Sequence, residues 1–547
     1  MIESTKSPIQ RTLLIVRRLW WVIIPCGIFL VLISAYPSDL AEDAYIILRY
    51  AQNISQGHGF VWNAGENPVW GSTSLLWTLI LSLAGFLGAD LVASAQIINI
   101  FLGLLSITLI CWYSSVHLRS SAFSACVAAC LLSLSTLVGH VMIGFDVVLY
   151  SLLLLITYIL IRSIVIENEE VTKKSALGLL SSCFLLSLTR PEGLVIGGLS
   201  IAIVVLLGPR DRIVSRFRIF LVPFALLLML FFVSTFLYFG TIVPNPFVIK
   251  SSGFSINQLS MTRMLSYIST STSIFGVLCF TVWLLNLEER IAFKHLIILV
   301  PIIGGFISDL FITQTQNIIL RFQFPITPLL LLLIPPGLDV MTSKIEMGYS
   351  FIRKIKLRQF HDLLKPLMLT FFVIILFYSQ FGITRAYIPY SEGTDKISTG
   401  RFLRNYREFN YTIVVTEAGM IPYYSEWRVI DAWGLNDPII ALSGINEEFL
   451  EGEHPEVVQF HEYYSNYTED WENSTSPWNI MTWTLKEYCT KSNYTLAAIM
   501  EYRTIIGGNP SIVSYQWYFV SPYFLHSLEI IEGLSSLSSV EYFYRVF

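Results

Sequence analysis

The stretch DLAEDAYIILRYAQNISQGHGF, residues 39–60, decides how the rest of the chain is interpreted. It follows the apolar run WWVIIPCGIFLVLISAY and places three carboxylates, Asp39, Glu42 and Asp43, within five positions. A charged group at membrane depth is costly unless it finds a partner or lines a cavity. The acids therefore mark either a stabilised helix end or a functional site.

The composition predicts a protein embedded in a lipid bilayer. Of 547 residues, 54% are hydrophobic and 14% are charged, and the mean hydropathy is +0.62. Soluble domains carry roughly 25% charged residues. The net charge of -4 and the pI near 6.1 leave no basic surface for nucleic acid.

Apolar runs long enough to cross a bilayer recur up to about residue 384. They predict about eleven transmembrane helices, at residues 19–36, 91–116, 120–143, 147–164, 175–188, 193–208, 219–238, 264–285, 296–312, 320–340 and 366–384. The apolar segment 74–88 is short, and we interpret it as a helix in the membrane interface, part of a first external loop of residues 37–90. We expect a polytopic α-helical membrane protein.

The chain divides into a membrane module, residues 1–384, and a polar C-terminal domain, residues 385–547. Three strand-like runs, at 412–416, 428–432 and 516–520, predict a small α/β unit there. The only cysteine of this domain is Cys489, which excludes a disulfide within it.

The distribution of positive charge predicts the orientation in the membrane. Twenty Lys and Arg residues fall in segments on one side of the predicted spans, against five on the other. Because positive loops stay cytoplasmic, we expect the acidic stretch and the C-terminal domain to lie outside the cytoplasm. This topology is that of a multi-pass plasma-membrane protein.

Taken alone, the acidic stretch favours helix capping. Glu42 follows Asp39 by three residues, which is the spacing of a capping box, and carboxylates in a first helical turn are stabilised by about 0.3 to 1 kcal/mol each. On this interpretation the acids are structural features of a helix end.

Further polar residues at the same side of the membrane favour a cavity instead. Beside predicted span ends lie Asp146, Arg190, Glu192, Asn245, Lys250 and Arg321, and the acidic stretch itself carries Arg49. Several such groups converging on one face imply a shared cavity. A structural ion pair of Arg190 with Glu42 or Asp146 is the alternative.

These segments resemble motifs of the polytopic GT-C glycosyltransferases. The stretch from Glu42 to Asn53 resembles their first external loop, most of all in the branch of the mycobacterial terminal β-1,2-arabinofuranosyltransferases. Similar motifs follow in order: LTRPEG at 188–193, YFGTIVPNPFVIK at 238–250, RFQFPITP at 321–328 and AGMIPYYSEWRVIDAWGLNDP at 418–438. Two positions depart from the family, which usually has Asp-Asp at Glu42-Asp43 and an acid at Trp70.

The resemblance implies an inverting transfer of one sugar from a polyprenyl-phosphate donor to an envelope glycan, lipid or glycoprotein. It places the catalytic base at Asp43, with Glu42 as helper or alternative. A departing phosphate needs cations, and the residues expected to bind donor or substrate are Arg190, Lys250, Arg321 and Arg49, with Glu192, Asp146 and Asn245 orienting them. A divalent cation is a further hypothesis.

Aromatic residues of the C-terminal domain have two interpretations. They would stack on sugars or form an aromatic belt at the membrane interface, and they are Tyr463, Tyr464, Tyr467, Trp471, Trp478 and Trp483. Two rival functions are a transporter, which should carry polar groups on both sides of the midplane, and an oligosaccharyltransferase or protein mannosyltransferase, which differs in donor and acceptor.

Overall fold

The computed structural model describes residues 8–167, 171–208, 213–250, 258–310, 317–352, 373–386, 390–392, 395–462, 476–506 and 509–538. Up to residue 386 the described chain is helical. After that point it forms a six-stranded sheet with surrounding helices, which we call the C-terminal unit.

The helical part begins with two long helices separated by short ones. Its helices are Pro8–Ala35, Glu42–Ser55, Leu75–Phe86, Leu91–Val116, Ala122–Ser133, Leu137–Met142, Val147–Val165, Lys173–Thr189, Pro191–Leu207, Ile213–Arg216, Val222–Phe239, Asn245–Lys250, Gln258–Ile268, Ser271–Leu284, Glu289–His295, Leu299–Leu310, Thr327–Leu332, Ile334–Ile352 and Val373–Ala386. A π-helical turn, Phe217–Leu221, joins Arg216 to Val222, and 3-10 turns occupy Leu296–Ile298, Ile318–Leu320 and Phe324–Ile326.

Five helical stretches among the described residues are long and apolar enough to cross a membrane. They are Leu91–Val116, Val147–Val165, Ile213–Phe239, Ala292–Leu310 and Ile318–Ser343. The pair Gln258–Ile268 and Thr272–Leu284, bent by 62°, would be a sixth. Shorter apolar helices occupy Leu19–Ala35, Leu75–Phe86, Ala122–Ser133, Pro191–Leu207 and Val373–Ala386. The number of eleven spans therefore stays a prediction.

Two predicted spans are interrupted. The 120–143 segment breaks between Ser133 and Leu137, where the Ser135 hydroxyl accepts a hydrogen bond from the Leu137 N–H at 3.1 Å. The 264–285 segment contains the 62° bend between Gln258–Ile268 and Thr272–Leu284. A break at membrane depth is tolerated where side chains satisfy the backbone groups that it leaves open. The first part of the predicted 366–384 span lies outside the described residues.

The C-terminal unit is a mixed sheet. Its strands are β1 Tyr390–Glu392, β2 Thr412–Val415, β3 Arg428–Asp431, β4 Val457–Glu462, β5 Thr495–Ile506 and β6 Asn509–Val520, in the order β1-β5-β6-β4-β2-β3. Strand β2 is parallel to β3 and β4, and the other pairs are antiparallel. The helices of the unit are Asp395–Leu403, Met420–Ser425, Pro438–Ser443, Glu447–Glu453, Pro477–Lys491 and Ser527–Leu537, with a 3-10 stretch Arg404–Phe409. The three predicted strands correspond to β2, β3 and the end of β6.

The helix Glu42–Ser55 starts later than a capping box would require. Its N-cap is Ala41, and no side chain caps it, so the capping interpretation of Asp39 and Glu42 is wrong. The carboxylate of Glu42 instead accepts hydrogen bonds from the backbone N–H groups of Gly419 (3.0 Å) and Met420 (2.9 Å), and its other oxygen lies 3.6 Å from Lys396 Nζ. Glu42 therefore joins the first loop to the C-terminal unit.

Gly419 has no room for a side chain. A Cβ atom there would lie 2.0 Å from the backbone oxygen of Glu42, which no rotamer change can relieve. The close approach of the two segments thus depends on glycine at this position.

Arg49 makes the second connection between the first loop and the C-terminal unit. Its guanidinium donates to the carbonyl oxygens of Trp62 (2.8 Å), Trp427 (2.8 Å) and Pro422, and to Asn63 Oδ1 (2.9 Å). Burial lowers the pKa of Arg49 to about 10, so the group remains charged at neutral pH. The substrate-binding role predicted for Arg49 is not supported, because its donors are directed to protein carbonyls.

We expect Arg49→Met to destabilise the docked C-terminal unit. The substitution leaves buried acceptors without a donor, and each costs about 1 to 3 kcal/mol. Thermal unfolding in detergent and limited proteolysis should both show the loss. Arg503→Met removes an ion pair of an exposed arginine with the partly exposed Glu501 and serves as the control; an equal loss of stability in both variants would contradict the role of Arg49.

Candidate active site

A cavity of about 130 Å³ lies between the ends of the membrane helices and the C-terminal unit. Its polar and charged lining comes from Asp43, Ser72, Thr73, Ser74, Asp146, Arg190, Glu192 and Arg321, and its other lining residues are Ile46, Ile47, Gly71, Phe145, Pro191, Pro246, Phe247, Phe322 and Leu435. Five of the residues predicted from sequence therefore meet in one place.

Asp43 stands in the first turn of the Glu42–Ser55 helix, beside Glu42 but directed differently. Its Oδ2 accepts a hydrogen bond from Arg321 Nη2 at 3.2 Å. The Arg321 guanidinium also lies 4.4 Å from the ring centroid of Phe145. Of the two neighbouring acids Glu42 and Asp43, only Asp43 is among the lining residues of the cavity.

Arg190 and Asp146 form a two-point ion pair. Arg190 Nε and Nη2 donate to the two carboxylate oxygens of Asp146, each at 3.0 Å. Both side chains are almost fully buried. Of the two partners considered for Arg190 from sequence, Glu42 and Asp146, the structure has Asp146.

Local breaks in the helices present this pair to the cavity. Arg190 has an extended backbone and lies between the helices Lys173–Thr189 and Pro191–Leu207, since Pro191 prevents the first from continuing. Asp146 follows Gly144, whose φ of +83° suits glycine, and a Cβ atom at Gly144 would lie 2.7 Å from Leu40 Cγ.

Glu192 lies in the first turn of the Pro191–Leu207 helix and lines both this cavity and a smaller neighbouring one. The smaller cavity is also lined by Tyr150, Arg190 and Asp309. Asp309 belongs to a continuous apolar helix, and its sequence context gave no signal of a site.

A polar chain behind the cavity holds the segment that carries Arg321. Gln323 Nε2 donates to Asp309 Oδ2 (3.2 Å), Asn317 Nδ2 donates to Gln323 Oε1 (2.7 Å), and the Phe322 N–H donates to Asn317 Oδ1 (3.3 Å). These hydrogen bonds involve residues on both sides of Arg321 and hold the turn from which Arg321 reaches Asp43.

The turn itself is strained. Ile319 and Leu320, directly before Arg321, have φ of 53° and 60°. Side chains of this type are rare in the left-handed region, and such conformations cost on the order of 1 to 3 kcal/mol each. Surrounding contacts must hold this conformation, and the Asp309–Gln323–Asn317 chain is placed to do so.

Asn245 and Lys250 bound a short helix at the cavity wall. The Asn245 N–H donates to the carbonyl of Trp70 at 3.0 Å, and the next two residues, Pro246 and Phe247, line the cavity. The side chain of Asn245 is buried outside the lining, and that of Lys250 lies outside the described part of the chain. Trp70 stacks on Phe239 at 5.3 Å.

The C-terminal unit contributes Leu435 to the cavity. The neighbouring Asn436 accepts a hydrogen bond from the Tyr50 hydroxyl (3.1 Å) and donates to Asp431 Oδ2 (2.9 Å). Gly71 packs against the side chain of Asn436, and a Cβ atom at Gly71 would lie 2.0 Å from Asn436 Oδ1. Sequence reasoning missed Leu435 because an isolated leucine in a loop carries no chemical signal.

The predicted sugar-stacking aromatics are not placed at this cavity by the described residues. Trp478 and Trp483 belong to the helix Pro477–Lys491, where Trp478 donates to the carbonyl of His461 at 3.2 Å. The other four, Tyr463, Tyr464, Tyr467 and Trp471, lie outside the described residues. Across the described ranges no group of three or more His, Cys, Asp or Glu side chains is arranged to hold a metal ion, so the divalent cation stays a hypothesis.

Comparison with known proteins identifies the fold. Residues 386–518 match a family model described as "Domain of unknown function (DUF8728)". No curated protein sequence matches the chain. Solved structures of ArnT and of the arabinofuranosyltransferase AftD match the chain, and the likeness shows that it shares their polytopic helical membrane fold.

Two proteins represent these structures. ArnT from Cupriavidus metallidurans in the apo state has a TM-score of 0.55 at 9% identity, with 96% of this chain and 100% of that chain covered. The same protein bound to undecaprenyl phosphate has a TM-score of 0.53 at 10% identity, with 96% and 99% covered. A mutant of the arabinofuranosyltransferase AftD from Mycobacteria has a TM-score of 0.54 at 12% identity, with 92% of this chain and 41% of that chain covered.

We expect Asp146→Asn to destabilise the protein, because it leaves Arg190 buried without a counter-charge. Breaking a buried ion pair on one side costs about 3 to 5 kcal/mol, whereas replacing both members by apolar residues is often neutral. Denaturant unfolding of Asp146→Asn, Arg190→Met and the double variant Asp146→Leu/Arg190→Met should show the double variant near the wild type. Additive losses in the double variant would contradict a purely paired role.

Proposed function

We propose that the protein is an inverting glycosyltransferase that moves a single sugar from a polyprenyl-phosphate donor to a hydroxyl group of an acceptor. The observation that carries the proposal is the cavity in which the carboxylate of Asp43 lies 3.2 Å from the guanidinium of Arg321, with the Arg190–Asp146 ion pair in the same lining. A carboxylate base and a cation for the departing phosphate are the groups that this reaction needs.

The reaction assigns a separate role to each group. The acceptor oxygen attacks the anomeric carbon, its proton passes to Asp43, and the bond from that carbon to the phosphate oxygen breaks. Phosphate leaves without prior protonation, so a single carboxylate suffices, unlike the acid and base pair of a glycosidase. Attack opposite the leaving group inverts the anomeric centre.

The two arginines are held differently. Arg190 is committed to Asp146 by two hydrogen bonds, and its Nη1 donates to the Arg321 carbonyl at 3.4 Å. Arg321 makes a single contact with Asp43 through one nitrogen, at 3.2 Å. We assign Arg321 as the group that binds the donor phosphate and Asp43 as the base beside it, while Arg190 and Glu192 shape the site around them.

The donor class is supported by the fold likeness to ArnT bound to undecaprenyl phosphate. The sugar, arabinofuranose or another pentose or hexose, and the acceptor, an envelope glycan, glycolipid or glycoprotein, remain predictions from the sequence. So does the plasma-membrane location with the C-terminal domain outside the cytoplasm, which rests on the distribution of Lys and Arg.

A direct assay tests the proposal. Purified protein is incubated with a panel of radiolabelled polyprenyl-phosphate monosaccharides and host envelope glycan. Transfer of one labelled sugar supports the proposal. Transfer only from a lipid-linked oligosaccharide would favour the oligosaccharyltransferase alternative, and uptake of sugar into proteoliposomes without transfer would favour a transporter.

We expect Asp43→Asn to be folded and nearly inactive. An amide cannot accept the acceptor proton at neutral pH, and loss of general-base catalysis costs roughly 10²- to 10⁴-fold in rate. Single-turnover transfer with saturating donor measures the effect. Asp39→Asn is the matched control, because Asp39 is an exposed carboxylate of the same stretch and does not line the cavity. Activity of Asp43→Asn within a few-fold of the wild type would move the base elsewhere.

We expect Gln323→Leu to act through Arg321. If Gln323 positions the Arg321 segment, the losses in donor kcat/KM caused by Gln323→Leu and Arg321→Ala should not add, and a coupling of about 0.5 to 3 kcal/mol is typical of such pairs. Gln380→Leu, at another buried glutamine of the membrane module, should show no coupling to Arg321. Additive effects for Gln323→Leu would reduce its role to general stability.

A further inference from the structure

The short helix Pro438–Ser443 of the C-terminal unit has an apolar side that the described chain leaves uncovered. Asp437 caps it, with Oδ1 accepting from the N–H groups of Ile439 (2.9 Å) and Ile440 (3.1 Å). Ile440 is buried in the core of the unit, whereas Ile439 is 63% exposed and Leu442 is 83% exposed. Residues three apart on a helix share a face.

A second exposed apolar pair lies on the neighbouring helix Asn245–Lys250, which packs against Pro438–Ser443. Phe247 and Val248 are 39% and 45% exposed. We call Ile439, Leu442, Phe247 and Val248 the portal patch. Phe247 also lines the cavity, so the patch reaches the cavity mouth.

The portal patch continues a lipid-facing surface. The Asn245–Lys250 helix follows the span Ile213–Phe239, which is only 17% buried within the protein. Large apolar side chains at the end of that span, among them Phe236 and Leu237, are exposed, and Ile242 in the connection is exposed as well. An apolar surface of this kind belongs in a bilayer rather than in water.

We propose that the portal patch is seated in the lipid and forms the entrance through which the prenyl chain of the donor reaches the cavity. The inference rests on the proposed function and adds a route to it. On this route the phosphate arrives at Arg321 while the prenyl chain lies across the exposed sides of the two short helices. Recognition is by apolar contact, so it depends on the length of the prenyl chain.

The double variant Ile439→Glu/Leu442→Glu tests the route. With an undecaprenyl-phosphate sugar, its KM should rise about tenfold or more, as expected for the loss of two apolar contacts. With a water-soluble donor that carries a short prenyl chain, KM should stay at the wild-type value. The matched control is Leu525→Glu/Leu528→Glu, since these residues of the same unit are also highly exposed and apolar but do not line the cavity.

Three results would overturn the inference: an equal rise in KM for both donors, an unchanged KM for both, or the same effect in the control. A second measurement does not depend on catalysis. A fluorophore attached at Leu442→Cys in nanodiscs should be quenched by brominated lipids, and one attached at Leu525→Cys should be quenched less. Absence of transfer in the wild type would defeat the proposed function, whereas absence of quenching at position 442 would defeat the portal patch itself.

Discussion

The buried guanidinium of Arg49 is the contact on which the arrangement of the site depends. It joins the helix Glu42–Ser55, which carries Asp43, to Trp62 in the following loop and to Pro422 and Trp427 in the C-terminal unit. A buried arginine is tolerable only when its donors are satisfied, and here three backbone carbonyls and Asn63 Oδ1 satisfy them. The cost of leaving those groups unpaired fixes the helix that carries Asp43 relative to the unit that carries Leu435.

The acids and cations of the site differ in the partners that bind them. Both carboxylate oxygens of Asp146 accept hydrogen bonds from Arg190. This pairing occupies the carboxylate and fixes the orientation of the guanidinium. Glu42 is likewise occupied by backbone N–H groups of the C-terminal unit. Asp43 accepts from Arg321 through a single nitrogen at 3.2 Å, whereas Asp146 and Arg190 have the stronger two-point geometry.

The sequence alone was enough to predict the charged residues of the cavity that lie at the ends of apolar runs. Asp43, Asp146, Arg190, Glu192 and Arg321 were each predicted because a charge at that depth needs a cavity or a partner, and all five meet at one cavity. Arg49 and Glu42 also have partners, but these include backbone groups of the C-terminal unit more than 370 residues away. No local sequence pattern reveals a contact of that kind.

Other parts of the fold escaped prediction for related reasons. Asp39 and Glu42 have the spacing of a capping box, but tertiary hydrogen bonds from Gly419 and Met420 outweigh a local cap. The break in the 120–143 span is made by Ser135, a residue that occurs equally well inside an intact helix. Hydropathy measures composition over a window, and it does not detect a turn whose backbone groups are satisfied by one hydroxyl.

The site therefore combines residues from three regions of the chain, and none of these regions alone identifies a site in the sequence. The acid comes from the first loop, the cations come from breaks between membrane helices, and Leu435 comes from the C-terminal unit. Because Arg49 and Glu42 bind that unit to the helix of Asp43, the same contacts hold Leu435 at the cavity. The proposed reaction, in which water must be kept from an activated sugar, would gain from this arrangement, since without the C-terminal unit the cavity would lack Leu435.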